Sequence, residues 1–93
     1  MDRKIQLKTN FSLRSRSTGE MELPPSVNTI EDLLRHLGKE IGFAFTDAEG
    51  LTLRKGVEVL INGKDLLFLP SGLKTVLKQG DSVDVALMTL GGG

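Results

Sequence analysis

Alternating apolar residues lead into a tight turn in the segment Val57-Glu58-Val59-Leu60-Ile61-Asn62-Gly63. Because side chains of a strand point to opposite faces in turn, a period of two residues puts Val57, Val59 and Ile61 on one face. Asn62-Gly63 supplies the positive φ angles that a two-residue hairpin turn requires. The segment therefore predicts a hairpin whose second strand is the apolar run from Leu66 to Leu69.

The N-terminal part of the chain shows the same alternation twice. Apolar and polar side chains alternate in residues 5–11. After a polar segment that ends at Gly19, Met21 and Leu23 again alternate with polar residues. Pro24-Pro25 then stops strand pairing, because proline lacks a backbone N–H. An opening hairpin of two strands is therefore predicted.

One amphipathic helix is predicted after the prolines. Asn28 or Thr29 can act as its N-cap, with an acidic residue three positions later to complete a capping box. We expect the helix to end near Gly42, or one turn earlier because Gly38 costs up to about 1 kcal/mol relative to alanine inside a helix. The apolar stripe at helical spacing consists of Ile30, Leu33, Leu34, Leu37 and Ile41.

The remainder of the chain adds a loop, a short turn and a last strand. Residues 46–56 are polar and turn-like, residues 73–78 can form a short helical turn, and Gly80-Asp81 leads into a strand at residues 83–87. The resulting order places one helix on one face of a mixed sheet of four to five strands, which is the order of the ubiquitin-like β-grasp fold. The predicted class is α+β, with a domain at residues 1–90 and a flexible glycine tail at residues 91–93.

The composition argues against several functional classes. The 93-residue chain contains no cysteine and a single histidine, so neither a disulfide nor an ordinary zinc site is expected. Twelve basic residues balance twelve acidic ones, and Tyr and Trp are absent, which argues against nucleic-acid binding. The longest apolar run is too short to cross a membrane, and no secretory signal is recognisable, so we expect a cytoplasmic protein. Serine clusters lack a nearby histidine to activate them, so no catalytic site is expected, and His36 is expected at the solvent edge of the helix.

The second half of the chain resembles a family of small ubiquitin-like sulfur carriers. This family includes the small subunit of molybdopterin synthase and the carrier of the thiamine pathway. The matching features occur in the same order along the chain: Val59-Leu60-Ile61-Asn62-Gly63, then Leu73, Thr75 and Leu77, then Gly80-Asp81-Ser82-Val83, and last Gly92-Gly93.

The resemblance implies a carrier rather than an enzyme. A ubiquitin-activating-like enzyme would use ATP to adenylate the Gly93 carboxylate, and a sulfur donor enzyme would convert it to a thiocarboxylate. An acceptor synthase subunit would then take the sulfur for the molybdenum cofactor, for thiamine or for tRNA thiolation, and the carrier itself would bind no cofactor or metal. The tail fits this role physically, because Gly91 and Gly92 lack side chains and can thread a narrow cleft.

Alternation also predicts a docking surface beside the tail. If the last strand turns one face to the helix, its other face and that of the neighbouring strand form an exposed apolar patch of Leu60, Ala86, Met88 and Leu90. An apolar patch next to a glycine tail is typical of a partner site. The alternative is that these are isolated exposed apolar residues, which are common on protein surfaces.

Two other functions stay open at this point. A ubiquitin-like modifier would be joined to lysines of other proteins through Gly93, after the same adenylation. A β-grasp binding module with an inert tail would need no adenylation at all. Conjugates on cellular proteins would favour the modifier, and full activity without Gly92 and Gly93 would favour the inert module.

Overall fold

The computed structural model describes residues 3–11, 19–47 and 52–88. These residues contain five strands, one α-helix and two 3-10 helices. The strands are β1 (Arg3–Thr9), β2 (Gly19–Leu23), β3 (Val57–Ile61), β4 (Lys64–Asp65) and β5 (Ser82–Leu87), and the helix is α1 (Ile30–Ile41). The 3-10 helices, Leu66–Phe68 and Gly72–Lys74, lie between β4 and β5.

One mixed sheet contains the five described strands in the order β2-β1-β5-β3-β4. β1 pairs antiparallel with β2 and parallel with β5, and β5 pairs antiparallel with β3. The last strand therefore lies in the middle of the sheet. The mixed sheet and the element order predicted from the sequence are confirmed. The helices in the described ranges are too short or too polar to span a bilayer.

The core lies between α1 and the inner face of the sheet. Alternate residues of β1, β3 and β5 are buried, and Val83 and Val85 at the centre are almost completely inaccessible to solvent. The predicted stripe of α1 is buried from Ile30 to Leu37, whereas Ile41 is only partly buried. Burial of such side chains is the main favourable contribution to folding.

A capping box starts α1 at Thr29, one of the two predicted N-caps. The Asp32 N–H donates to Thr29 Oγ1 at 3.2 Å, and the Asp32 carboxylate accepts from the Asn28 and Thr29 N–H groups at 3.0 and 3.1 Å. The backbone N–H of Asn28, together with Thr29, lowers the pKa of Asp32 below its usual value. The start of the helix therefore depends on an ionised carboxylate.

This capping box predicts an acid-dependent loss of stability. A lowered pKa in the folded state means that ionised Asp32 stabilises the fold above its unfolded pKa, near 3.8, and that this stabilisation is lost as the pH falls through the lower folded value. We expect the wild type to lose more stability than Asp32→Asn between about pH 5 and pH 2. Urea unfolding midpoints across that range measure the difference, and parallel pH profiles would contradict the prediction.

Gly38 does not end the helix, because its lack of a side chain is used in packing. α1 continues to Ile41 and ends at Gly42, whose φ of 72° is left-handed. The chain then folds back, so that the Phe43 N–H donates to the Gly38 carbonyl oxygen at 2.9 Å. A Cβ atom at position 38 would lie 2.4 Å from the Phe43 carbonyl oxygen. The earlier of the two predicted helix ends is therefore wrong, and the one near Gly42 is confirmed.

We therefore expect Gly38→Ala to destabilise the protein, although alanine favours helix by about 1 kcal/mol. The clash with the Phe43 carbonyl requires the backbone to shift, which typically costs about 1–3 kcal/mol. Lys39→Ala is the matched control, because this neighbouring residue is exposed and its loss should change stability by less than about 0.5 kcal/mol. Urea unfolding measures the free energy of unfolding of both variants. A gain of stability in Gly38→Ala would contradict the close approach of Phe43 to Gly38.

The strand predicted at Leu66 to Leu69 is wrong. β4 pairs only Lys64 and Asp65 with β3, and the next three residues form a 3-10 helix. The cause is Asp65, whose Oδ1 accepts a hydrogen bond from the Leu67 N–H at 2.8 Å and ends the strand. The hairpin turn itself is confirmed, since Asn62 and Gly63 have φ angles of 52° and 82°.

The short helical turn predicted within residues 73–78 is present, but it is displaced. It is the 3-10 helix Gly72–Lys74, and Leu73 and Leu77 are buried as the sequence predicted. Glu31 fixes this turn against α1, because its nearly buried carboxylate pairs with Lys74 on one side and with Arg35 on the other. The region between β4 and β5 is therefore attached to the first turn of the helix.

Candidate functional site at the end of the last strand

β5 carries the chain towards its glycine tail from the centre of the sheet. β1 and β3 flank it on both sides, and the half-buried Leu87 at its end packs against the core. The Met88 N–H donates to the Gly56 carbonyl oxygen at 2.7 Å, which continues the pairing with the β3 side. The backbone is thus fixed up to Met88, the last residue described. The predicted tail residues Gly91, Gly92 and Gly93 lie outside the described residues.

The side chain of Asn10 contacts the same point from the β1 side. Asn10 Nδ2 donates to the Leu87 carbonyl oxygen at 2.8 Å, and the Leu87 N–H donates to Asn10 Oδ1 at 2.9 Å. Sequence reasoning missed this contact, since Asn10 reads only as one more polar residue in the alternation of β1. A contact between residues 77 positions apart leaves no local pattern by which it could be recognised.

Leu60 and Ala86 lie on the outer face of the sheet, on adjacent strands, and both are partly exposed. Ala86 is opposite Glu58, and Leu60 is opposite Asp84, so each apolar residue has a carboxylate as its direct cross-strand neighbour. Met88 follows beyond the strand with 51% of its surface exposed. Asp84 also faces Lys8 of β1, so this surface is mixed apolar and charged. Leu90, the fourth member of the predicted patch, lies outside the described residues, and the docking role of the patch stays a prediction.

A second apolar surface was not predicted. Leu67 and Phe68 are 83% and 73% exposed. Their 3-10 helix is fixed at both ends, by the cap from Asp65 and by a hydrogen bond from the Leu69 N–H to the Leu66 carbonyl oxygen at 3.1 Å. Leu67 also lines a groove of about 320 Å³. The apolar run itself was the signal for this surface, because a strand with one wet face cannot bury four consecutive side chains.

His36 lies on α1 and is half-buried. Its Nε2 atom is buried and has no hydrogen-bond partner among residues 3–11, 19–47 and 52–88. Within the same ranges, no three His, Asp or Glu side chains come together as a metal site would require. His36 is therefore not part of a metal-ligand cluster within those residues.

Comparison with known proteins connects this geometry to a family. A model of the ThiS family matches residues 10–93. The fold is similar to the solution structure of Urm1 from Trypanosoma brucei, with a TM-score of 0.64 and 24% identity over 98% of this chain and 97% of that chain. At that identity the likeness shows the fold alone, and it confirms the predicted β-grasp arrangement.

Two further solution structures are similar over nearly the whole chain. The small archaeal modifier protein 1 (SAMP1) from Methanosarcina acetivorans has a TM-score of 0.64 and 25% identity, over 99% of both chains. The Haloferax volcanii HVO 2177 protein has a TM-score of 0.67 and 27% identity, over 98% of this chain and 88% of that chain. Among proteins with curated functions, none matches the sequence significantly. The chain belongs to the ThiS family of ubiquitin-like sulfur carrier and modifier proteins.

Proposed function

We propose that this protein carries sulfur as a thiocarboxylate on Gly93, after a ubiquitin-activating-like enzyme has adenylated that residue's carboxylate. The observation that carries the proposal is the extent of the family match, which runs through residue 93 and so includes the glycine tail. Members of the family work with such activating enzymes and with sulfur-transfer partners, and they are generally non-catalytic. On this proposal the protein is a co-substrate that its partners modify.

The proposed chemistry needs little from the protein beyond an accessible carboxylate. A carboxylate oxygen of Gly93 attacks the α-phosphorus of ATP in the partner's site, and pyrophosphate leaves. Hydrosulfide released by the donor enzyme then attacks the carbonyl carbon, and AMP leaves with the electrons of the C–O bond. A C–S bond thus replaces the C–O bond, and the thiocarboxylate forms without a change in the oxidation state of sulfur. Glycines at the last three positions suit this sequence of steps, because no side chain hinders the approach of either reactant.

The described part of the chain supports the proposal by fixing the origin of the tail. A partner that binds the outer face of the sheet would receive a tail that leaves from a defined point, because β5 is hydrogen-bonded on both sides. The mixed surface of Leu60, Ala86 and Met88 with Glu58 and Asp84 fits a partner surface that presents apolar and basic side chains together. Such complementarity selects a partner and sets the orientation in which it binds.

A protein modifier is the second candidate, and the likeness to the small archaeal modifier protein 1 favours it. Both functions begin with the same adenylate, so they differ only in what accepts the activated carbonyl. Transfer to lysine amines of other proteins would produce isopeptide conjugates, whereas transfer to a sulfur donor would produce the thiocarboxylate. A search for conjugates in cells that express the tagged protein separates the two functions.

Alkylation followed by intact-mass measurement tests the carrier proposal. The full chain is incubated with the activating enzyme, the sulfur donor and ATP, then treated with a thiol-alkylating reagent. The chain has no cysteine, so a thiocarboxylate should be the dominant target of the reagent. We expect one added alkyl group in the C-terminal peptide, and none in a control chain that lacks Gly92 and Gly93. Absence of alkylation in the full chain would contradict the proposal.

A substitution on the outer face tests docking. Ala86→Arg places a long cation where the partner is proposed to bind, while Glu58 on the opposite strand can pair with it and preserve the fold. We expect the KM of the activating enzyme for the carrier to rise by about tenfold or more, because a desolvated like-charge contact typically costs over 1 kcal/mol.

Ala44→Arg is the matched control, since it introduces the same side chain at an exposed alanine outside the sheet. Both variants should have unfolding midpoints close to the wild-type value. Equal KM values for the two variants would show that the activating enzyme does not use the outer face.

A further inference from the structure

The contact between Asn10 and Leu87 stands where the regular pairing of β1 with β5 ends. The last pair in the parallel register is Thr9 with Val85. The Thr9 hydroxyl donates to the Phe11 carbonyl oxygen at 2.8 Å, so the main chain turns beyond the strand. Leu87, two residues further along β5, is bonded on this side by the Asn10 side chain.

An amide side chain is suited to this position because it can replace a peptide group. One edge of the planar amide presents an N–H donor beside a carbonyl acceptor. Here the donor bonds the Leu87 carbonyl oxygen at 2.8 Å, and the acceptor bonds the Leu87 N–H at 2.9 Å. Aspartate has the same shape but no donor when ionised, and alanine has neither group. The contact is therefore specific to the amide rather than to the size of the side chain.

On the β3 side of β5, the backbone is fixed one residue later, at Met88. The Met88 N–H donates to the Gly56 carbonyl oxygen at 2.7 Å, from the β3 side. Leu87 and Met88 are thus hydrogen-bonded from opposite sides at the point where the chain leaves the sheet for the tail. Removing the Asn10 side chain leaves Leu87 with water as its partner on the β1 side, so this end of β5 would open more often.

We propose that Asn10 is a positioning residue for the chemistry at Gly93, because its amide fixes the end of β5, the point at which the chain leaves the sheet for the tail. The inference rests on the proposed adenylation of that residue. A tail that starts from a fixed point samples a smaller volume once the body has docked, so its carboxylate is present at the nucleotide a larger share of the time. Asn10 then acts on kcat through Leu87, and the affinity of the body for its partner does not depend on it.

The test compares Asn10→Ala and the isosteric Asn10→Asp with the wild type and with the control Asn28→Ala. Asn28 precedes α1, and within the described part of the chain its side chain makes only a long hydrogen bond of 3.5 Å to the Pro25 carbonyl oxygen. We expect kcat for ATP–pyrophosphate exchange by the activating enzyme to fall roughly threefold to tenfold in both Asn10 variants, since neutral hydrogen bonds of this kind contribute modestly to stability. The KM for the carrier should stay unchanged, and Asn28→Ala should match the wild type in both constants.

Amide hydrogen exchange at Leu87 gives a readout that needs no partner. We expect exchange there to accelerate by a similar roughly threefold to tenfold in Asn10→Ala, which removes the Oδ1 acceptor of the Leu87 N–H, with no change at Val83 in the core. Unchanged exchange at Leu87 would overturn the inference, because the side-chain contact would then not hold the strand end. Faster exchange with an unchanged kcat would also overturn it, because the contact would be structural only.

The failure of the inference is distinguishable from the failure of the proposed function. A wild-type chain that supports no ATP–pyrophosphate exchange would overturn both, whatever the amide exchange at Leu87 shows. A raised KM with an unchanged kcat would also overturn the inference, because Asn10 would then contact the partner instead of positioning the tail. If the wild-type chain is adenylated and kcat falls in the two Asn10 variants but not in Asn28→Ala, the result supports both the inference and the proposed function.

Discussion

The pairing of β5 with both of its neighbours is the constraint on which the rest of the structure depends. β1 and β5 run parallel and each pairs antiparallel with its outer neighbour, so β2 and β3 also run in the same direction and the chain that joins them must cross over the sheet. α1 lies in that crossover and covers one face, where Val83 and Val85 are buried beneath it. The C-terminal strand thereby becomes the centre of the sheet, and the chain continues to the tail from a strand that is hydrogen-bonded on both sides.

This arrangement separates two properties that a carrier needs. The body must be rigid enough for a partner to recognise, and the reacting group must be able to leave the body and enter another protein. The sheet supplies the first, with hydrogen bonds that continue to Met88 on the β3 side and to Leu87 on the β1 side. Three glycines without side chains suit the second.

The sequence predicted the features that periodicity determines. β1, β2, β3, β5 and α1 each carry an apolar repeat that matches their geometry, and Asn62-Gly63 has the turn that its residues favour. β4 was predicted in the wrong place, because the side chain of Asp65 forms a local hydrogen bond that competes with the strand and no apolar pattern reports such a bond. Gly38 was interpreted through helix propensity alone, although the close approach of the Phe43 carbonyl oxygen is what requires a glycine at this position. The contact of Asn10 with Leu87 joins the two ends of the chain and has no local signature.

The central claim is that the Gly93 carboxylate is the reacting group and that the rest of the chain delivers it. A chain prepared by peptide ligation with a carboxamide in place of that carboxylate tests this most directly, since the body and the tail length are unchanged. The measurement is ATP–pyrophosphate exchange by the activating enzyme. The account predicts exchange with the natural carboxylate and none with the carboxamide, whereas equal exchange with both chains would contradict it.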